Sequence, residues 1–274
     1  MSIAARLFRG LPPVGLGVYV WQGEIPPGAW DFYAVSYTSR TLIASMLASG
    51  ASVWLFAGPD AWAPGAWRST LANMIARLES EPRLVGLVAN PEEAWRGAST
   101  AEVEEFGRAL AAASERFRVG VVTIPAMPSL ERLVRAAGDG VWWSIELYAR
   151  SAAPASFASW GARWLAMMPR SRFSVTPAAF VPDTDLGRAT MATRDTYRAY
   201  LAALPTVASA IVWGNNGTLR SRPWMAEELR ARFSAVRVGP LALAFFLERR
   251  AALIIAAAAV VVGLFVVAGA AGLA

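Results

Sequence analysis

Short apolar runs alternate with segments of helical length along most of this 274-residue chain. The runs are continuously apolar rather than alternately apolar and polar, which is typical of parallel strands covered on both faces. Seven strands are predicted, at residues 14–21, 51–57, 83–89, 117–124, 140–147, 172–180 and 208–213. Residues 31–37 also have β character and are a candidate for an eighth strand.

Helical patterns occupy the segments between these strands. They are predicted at residues 39–48, 67–79, 100–116, 129–137, 155–168, 188–204 and 222–233. Such strict alternation predicts an α/β fold with a parallel sheet. Seven or eight units favour a (β/α)8 TIM-like barrel, with an open doubly wound sheet as the alternative. No GxGxxG or GxxxxGK[ST] motif follows any strand, so no nucleotide cofactor is predicted.

The last 24 residues, 251–274, carry no charged and no strongly polar side chain. About 20 apolar residues in a helix cross a bilayer core about 30 Å thick, so a single transmembrane helix is predicted. The positive-inside rule, applied to Arg249 and Arg250, places the large domain on the cytoplasmic side of a membrane. The membrane would be a host inner membrane or that of a virion. The predicted organisation is an N-terminal arm (1–13), a barrel domain (14–237), a juxtamembrane segment (238–250) and the anchor (251–274).

Cysteine, histidine and lysine are absent from the chain. Their absence excludes disulfides, thiol nucleophiles, histidine general bases and the usual zinc ligands, so no metal site is predicted and acid–base chemistry must use Asp, Glu or Tyr. All 26 cationic side chains are arginine, and the net charge is +6. Arginine suits phosphate, which raises the hypothesis of an anionic polymer as partner. The arginines are dispersed, however, and nucleic acid is not the expected partner.

Acidic, aromatic and amide side chains recur where the predicted strands end, which is where barrel enzymes carry their active sites. This combination suits carbohydrate, because sugars stack on aromatic rings and glycoside hydrolysis needs two carboxyl groups facing one bond. The candidate catalytic acids are Glu24, Glu92 and Glu146, paired as Glu92 with Glu146 or Glu24 with Glu92. The candidate substrate-binding residues are Trp21, Trp54, Asp60, Trp62, Asn90, Trp142, Tyr148, Trp213 and Asn215.

Glu146 stands inside an otherwise apolar predicted strand, in the sequence WWSIELY. A buried carboxyl at such a position needs either a cationic partner or a raised pKa. The sequence leaves both alternatives open: a salt bridge to an arginine of the barrel, or a proton held at neutral pH.

Residues 17–25, GVYVWQGEI, resemble the opening strand of family 25 glycoside hydrolases, the Chalaropsis-type lysozymes. That family typically begins with G-[IV]-D-V-S, followed shortly by W-Q-G-x-I. The resemblance implies a (β/α) barrel that cuts peptidoglycan. It puts Tyr19 where the family has its first-strand aspartate, and it puts the family's later D-x-E pair on Asn90 and Glu92. Glu92 would then inherit the general-acid role, while an amide replaces the other acid.

Two functional hypotheses follow. The first is a membrane-anchored, glycosidase-like barrel that binds and cleaves a cell-wall or surface glycan such as peptidoglycan, for example as a phage or virion lysin. The second is a non-catalytic, membrane-anchored structural or receptor-binding component of a virion or envelope, with other proteins of that assembly as partners. The replaced acids and the cytoplasmic orientation favour the second hypothesis. A virion membrane would reconcile the orientation with the first.

Overall fold

Eight parallel strands close into a barrel in the order in which they occur along the chain. The computed structural model describes residues 9–20, 24–125, 127, 129–148, 156–169, 172–207 and 209–234. The strands are β1 (Gly15–Val20), β2 (Phe32–Ser36), β3 (Val53–Phe56), β4 (Gly86–Ala89), β5 (Arg118–Thr123), β6 (Val141–Leu147), β7 (Phe173–Ala179) and β8 (Ser209–Gly214). Pairing of β1 with β8 closes the barrel.

Helices connect the strands along the outside of the barrel. They are α1 (Arg40–Ala48), α2 (Trp67–Ser80), α3 (Thr100–Ser114), α4 (Leu130–Ala137), α5 (Phe157–Met167), α6 (Asp185–Thr190), α7 (Arg194–Ala203), α8 (Asn216–Ser221) and α9 (Trp224–Ser234). Short 3-10 turns follow β3 (Pro59–Trp62) and β4 (Glu93–Gly97), and another precedes β6 (Gly138–Gly140). The predicted (β/α)8 barrel is confirmed, and the open doubly wound sheet is excluded because the sheet closes.

Two local predictions differ from the structure. The candidate strand at residues 31–37 is β2, so the barrel has its eight strands without any further element. The single helix predicted at residues 188–204 is divided into α6 and α7. The division occurs because Thr193 caps α7: its hydroxyl accepts the Thr196 N–H, and the Thr196 hydroxyl accepts the Thr193 N–H in return.

Apolar side chains form one layer outside the sheet and another inside it. The outer layer fills the space between the strands and the helices, which is why whole strands such as β5 and β6 are buried on both faces. The inner layer fills the barrel and is rich in aromatic rings, among them Tyr19, Phe32, Trp54, Phe56 and Trp142. The barrel is therefore a packed core rather than a pore.

Glycines make room for the large rings inside the barrel. A β-carbon at Gly120 would overlap the Trp142 ring, and one at Gly17 would overlap the Phe32 ring. Trp54 and Trp142 meet edge to face, with 5.6 Å between their ring centroids. Small and large residues thus alternate between neighbouring strands so that the interior is filled.

The juxtamembrane segment 238–250 and the apolar residues 251–274 lie outside the described residues. Within the described part of the chain, no helix combines the length and the apolar character needed to cross a membrane.

Candidate carbohydrate site at the barrel mouth

Glu146 is the penultimate residue of β6, so its side chain lies near the carboxyl end of the barrel. Neighbouring inward positions explain its orientation: Ser144, two residues earlier, bonds Thr176 of β7 at 2.9 Å, and Glu146 itself pairs with Thr176 in register. Only 7% of Glu146 is exposed. The side chain is therefore a carboxyl group carried by a rigid strand and almost removed from water.

The environment of Glu146 favours its protonated form. Burial, and secondarily the negative charge of Glu92, raise the pKa of Glu146 to about 8, while the Tyr148 side chain acts in the opposite direction. Among the residues that the structure describes, no arginine forms an ion pair with Glu146. Of the two alternatives that the sequence left open, the structure favours the raised pKa over the salt bridge.

Glu92 follows β4, in the segment just before the second 3-10 turn, and is half-buried. Its charge acts on Glu146 and also on Tyr19 and Tyr148, whose pKa values are raised well above the ordinary value, chiefly by burial. The two carboxyls of the predicted pair, Glu92 and Glu146, thus lie close enough for the charge of one to raise the pKa of the other. One carboxyl is buried and retains its proton, while the other lies closer to solvent, which separates their roles in acid–base chemistry.

An aromatic surface lies beside this pair. Tyr19 and Trp213 are 4.9 Å apart between ring centroids, and Phe56 contacts both rings. Tyr19 and Trp213 also line a cleft of about 500 Å³ together with Glu24, Phe180 and polar residues of α8. Such a cleft is large enough for one or two sugar rings and offers an aromatic face to stack on one of them.

Glu24 occupies the edge of this cleft and is exposed. Its carboxylate accepts hydrogen bonds from Asn216 Nδ2 at 3.0 Å and from the Arg220 guanidinium at 2.9 Å. Arg220 neutralises the charge of Glu24, and the predicted pairing of Glu24 with Glu92 has no contact to support it in the described residues. Glu24 suits an orienting role at the cleft edge better than a role in proton transfer.

Three of the predicted sugar-binding tryptophans lie away from the mouth. Trp54 and Trp142 are the second residues of their strands and are fully buried deep inside the barrel, so no sugar can reach them in this structure. Trp62 is fully buried between the 3-10 turn and α3: it packs on Phe106 and donates Nε1–H to the Ala57 carbonyl at 3.1 Å. We therefore correct the expectation that these three rings line the site, because they pack the core.

Three of the remaining predicted residues follow the ends of strands. Asn90 follows β4 directly; it is 1% exposed, and its Oδ1 finds no hydrogen-bond partner in the described structure. Asn215 lines the cleft, but its Oδ1 caps α8 by accepting the Thr218 N–H at 3.0 Å. Asp60 is exposed in the turn after β3 and does not line the cleft. Trp21 lies outside the described residues.

Sequence reasoning missed Phe56 and Phe180 as parts of this region and gave Tyr19 no role of its own. Phe56 and Tyr19 are on inward positions of their strands, two residues after Trp54 and Gly17 respectively, so the period-two pattern of a strand could have identified them. Phe180 follows β7 and packs on Tyr148 at 5.4 Å between centroids.

No cluster of three or more acidic side chains suited to a metal ion occurs in the described ranges.

Comparison with solved structures relates the fold to glycoside hydrolases. The chain is similar to endo-beta-N-acetylglucosaminidase from Cordyceps militaris in apo form, with a TM-score of 0.53 and 11% identity over 80% of this chain and 90% of that one. A mutant of that enzyme in complex with fucosyl-N-acetylglucosamine-Asn gives a TM-score of 0.56 and 12% identity, over 84% of this chain and 94% of that one. A xylanase from Cellvibrio japonicus is more distant, with a TM-score of 0.46 and 12% identity over 74% and 87% of the two chains.

These likenesses show the fold alone, because the identities are low. No protein-family model matches the chain, and no curated protein matches it in sequence. The chain is therefore an eight-stranded parallel barrel whose structural neighbours include glycoside hydrolases, and its resemblance to family 25 lysozymes stays a prediction.

Proposed function

We propose that this chain binds a glycan at the barrel mouth and hydrolyses a glycosidic bond there with Glu146 and Glu92. The single observation that carries the proposal is the environment of Glu146: a buried carboxyl at a strand end, close to a second carboxyl and to Tyr19 of the aromatic cleft, with its pKa raised to about 8. A group that keeps its proton at neutral pH is what a general acid requires. The glycosidase-like fold supports the same choice.

In the proposed reaction, Glu146 donates its proton to the glycosidic oxygen as the bond to the anomeric carbon breaks. Glu92 acts on the opposite side of that carbon, either as the nucleophile or as the base that removes a proton from the attacking water. Trp213 provides the surface on which the sugar ring stacks, and the buried ring of Tyr19 packs behind it. This assignment moves the general-acid role from Glu92, where the family 25 resemblance puts it, to Glu146, because Glu146 is the more deeply buried carboxyl.

We propose peptidoglycan as the glycan and membrane anchoring through residues 251–274 as the setting, as in a phage or virion lysin. The support is the family 25 resemblance of residues 17–25 and the apolar composition of the tail. An anchor at residues 251–274 would hold the barrel close to the membrane and therefore near a wall or envelope surface. The arginines are dispersed along the chain and give no comparable support for nucleic acid.

The test uses the full-length chain in a mild detergent and measures the release of reducing ends from purified peptidoglycan. Glu146→Gln and Glu92→Gln are each expected to lower the rate by at least about 100-fold, because acid–base groups contribute about 10²–10⁴-fold. Glu93→Gln is the matched control: Glu93 is the next residue along the chain, is exposed and pairs only with Arg96 in the described structure. Full activity in both active-pair variants would refute the proposal.

The alternative is a barrel that binds glycan without cleaving it, as a structural or receptor-binding component of a virion or envelope. The observation that favours it is the amide at Asn90, where the family 25 resemblance expects an acid, together with the ion pair between Glu24 and Arg220. This alternative predicts that the wild-type chain sediments with peptidoglycan while no reducing ends appear, and that Trp213→Ala weakens the sedimentation. Measurable release by the wild type, lost in Glu146→Gln, would exclude it.

A further inference from the structure

Two tyrosines of α7 reach the ends of β6 and β7 from outside the barrel. The Tyr200 hydroxyl accepts the Ala178 N–H at 2.8 Å and donates to the Leu147 carbonyl at 2.8 Å. The Tyr197 hydroxyl donates to the Ala178 carbonyl at 2.9 Å. Both rings are fully buried and stack on each other, with centroids 5.5 Å apart.

The Tyr200 hydroxyl takes the place of a strand-to-strand hydrogen bond. In a regular parallel ladder, the N–H and C=O of a residue such as Ala178 bond to the backbone of the neighbouring strand. Here β6 and β7 are in register up to Leu147 and Pro177, and proline has no N–H to donate. Beyond this pair the hydroxyl of Tyr200 connects the two strands.

Leu147 is the residue directly after Glu146. Whatever holds the Leu147 carbonyl therefore fixes the peptide between Leu147 and Tyr148, one residue beyond Glu146, and with it the end of β6 from which the Glu146 side chain projects. The groups that face this carboxyl are Glu92, Tyr148 and Tyr19, from three different strand ends. A shift of the β6 end would change the distances from Glu146 to Glu92 and Tyr19, which belong to other strand ends, and would admit water.

We propose that Tyr200 is a positioning residue for Glu146. Its hydroxyl ties the end of β6 to β7 and so keeps the Glu146 carboxyl buried and directed at the barrel mouth. Tyr197 does not have this role, because its hydroxyl contacts β7 only. The proposal deepens the proposed function and rests on it for its catalytic consequence, but the effect on Glu146 itself does not depend on catalysis.

The experiment compares Tyr200→Phe with Tyr197→Phe in the full-length chain. Each variant loses one hydroxyl from the same stacked pair, and only the first loses a contact with β6. The proton affinity of Glu146 is measured by a ¹³C NMR pH titration of chain labelled at the glutamate side-chain carboxyls, with the Glu146 resonance identified from the Glu146→Gln spectrum. Hydrolysis of peptidoglycan is measured on the same samples.

In Tyr200→Phe we expect the proton affinity of Glu146 to fall at least about tenfold, because burial is the main reason that its pKa is raised. In Tyr197→Phe it should stay within about threefold of the wild type. For the hydrolytic reaction, Tyr200→Phe should lower kcat at least about tenfold while KM changes less than about threefold. An unchanged Glu146 titration in Tyr200→Phe, or equal shifts in the two variants, would overturn the proposal.

Two outcomes separate this proposal from the proposed function. If the titration changes as expected and the wild type releases no reducing ends, the positioning role stands and the hydrolytic function fails. If Tyr200→Phe does not fold, amide hydrogen exchange in the wild type carries the test. The Ala178 N–H must then exchange as slowly as amides in the middle of β7, and exchange at the rate of an exposed amide overturns the proposal.

Discussion

The pKa of Glu146 has a measurable consequence for stability. A carboxyl with an ordinary pKa of 4.5 in the unfolded chain and about 8 in the folded chain binds its proton more tightly when folded. The Glu146 proton therefore makes its full contribution to the free energy of unfolding below pH 4.5. This contribution is lost as the pH rises through 8. Since one pKa unit corresponds to about 1.36 kcal/mol, the difference amounts to about 5 kcal/mol between pH 4 and pH 9.

Glu146→Gln removes this pH dependence while it keeps the shape of the side chain. We expect wild type and Glu146→Gln to have similar free energies of unfolding near pH 4. Near pH 9 we expect the variant to be more stable by up to about 5 kcal/mol, because the wild type must then bury a charge or unfold. Urea unfolding of the full-length chain, followed by tryptophan fluorescence at several pH values, measures the difference.

Glu93→Gln is again the matched control, because Glu93 is exposed and its removal leaves the barrel interior unchanged. Its free energy of unfolding should follow that of the wild type at every pH. If the difference between wild type and Glu146→Gln varies by less than about 1 kcal/mol from pH 4 to pH 9, then Glu146 is not the buried, protonated carboxyl described above. The choice of general acid would then be wrong as well.

Two further predictions concern the scaffold. Gly120→Ala should lower the free energy of unfolding by about 1–3 kcal/mol or more, because the added methyl group overlaps the buried Trp142 ring, whereas Gly97→Ala, with open space around it, should change it by less than about 0.5 kcal/mol in urea unfolding. Glu228→Gln should destabilise the chain at pH 7 but not below pH 3. Two arginines on α7 hold the pKa of Glu228 below its usual range, so the stabilisation from its charge is lost as the pH falls. Thermal unfolding at the two pH values measures this, and equal destabilisation at both would refute it.

The fold was predictable because its signal is repeated. Each strand is buried on both faces and appears in the sequence as an apolar run, and eight repetitions leave few architectures open. The break between α6 and α7 was harder to predict, because it depends on one Thr193 hydroxyl and not on hydrophobic periodicity. The short helix α8 was missed since six residues with a mostly exposed surface carry no periodic pattern.

The site was predictable in part. Glu146 was identifiable because a carboxyl inside an apolar strand is costly and needs an explanation. Trp54 and Trp142 were misplaced because the sequence does not show how far a strand residue lies from the mouth of the barrel. Trp62 was misplaced because the sequence does not show that its ring packs in the layer between strands and helices. The interaction of Glu92 with Glu146 depends on contact between two strand ends far apart in sequence, and only the closed barrel reveals it.

The two carboxyls acquire different properties because they come from different kinds of backbone. Glu146 belongs to a strand covered on both faces, where water is excluded and the neutral form is favoured. Glu92 belongs to the connection after β4 and is half-exposed, and its charge raises the proton affinity of Glu146. The asymmetry that the proposed hydrolysis requires thus arises from where a strand ends; the chain has no histidine, and no arginine among the described residues forms an ion pair with Glu146. Burying a carboxyl at the mouth close to a second one has a free-energy cost, and the proposed catalytic role supplies a physical reason for that cost.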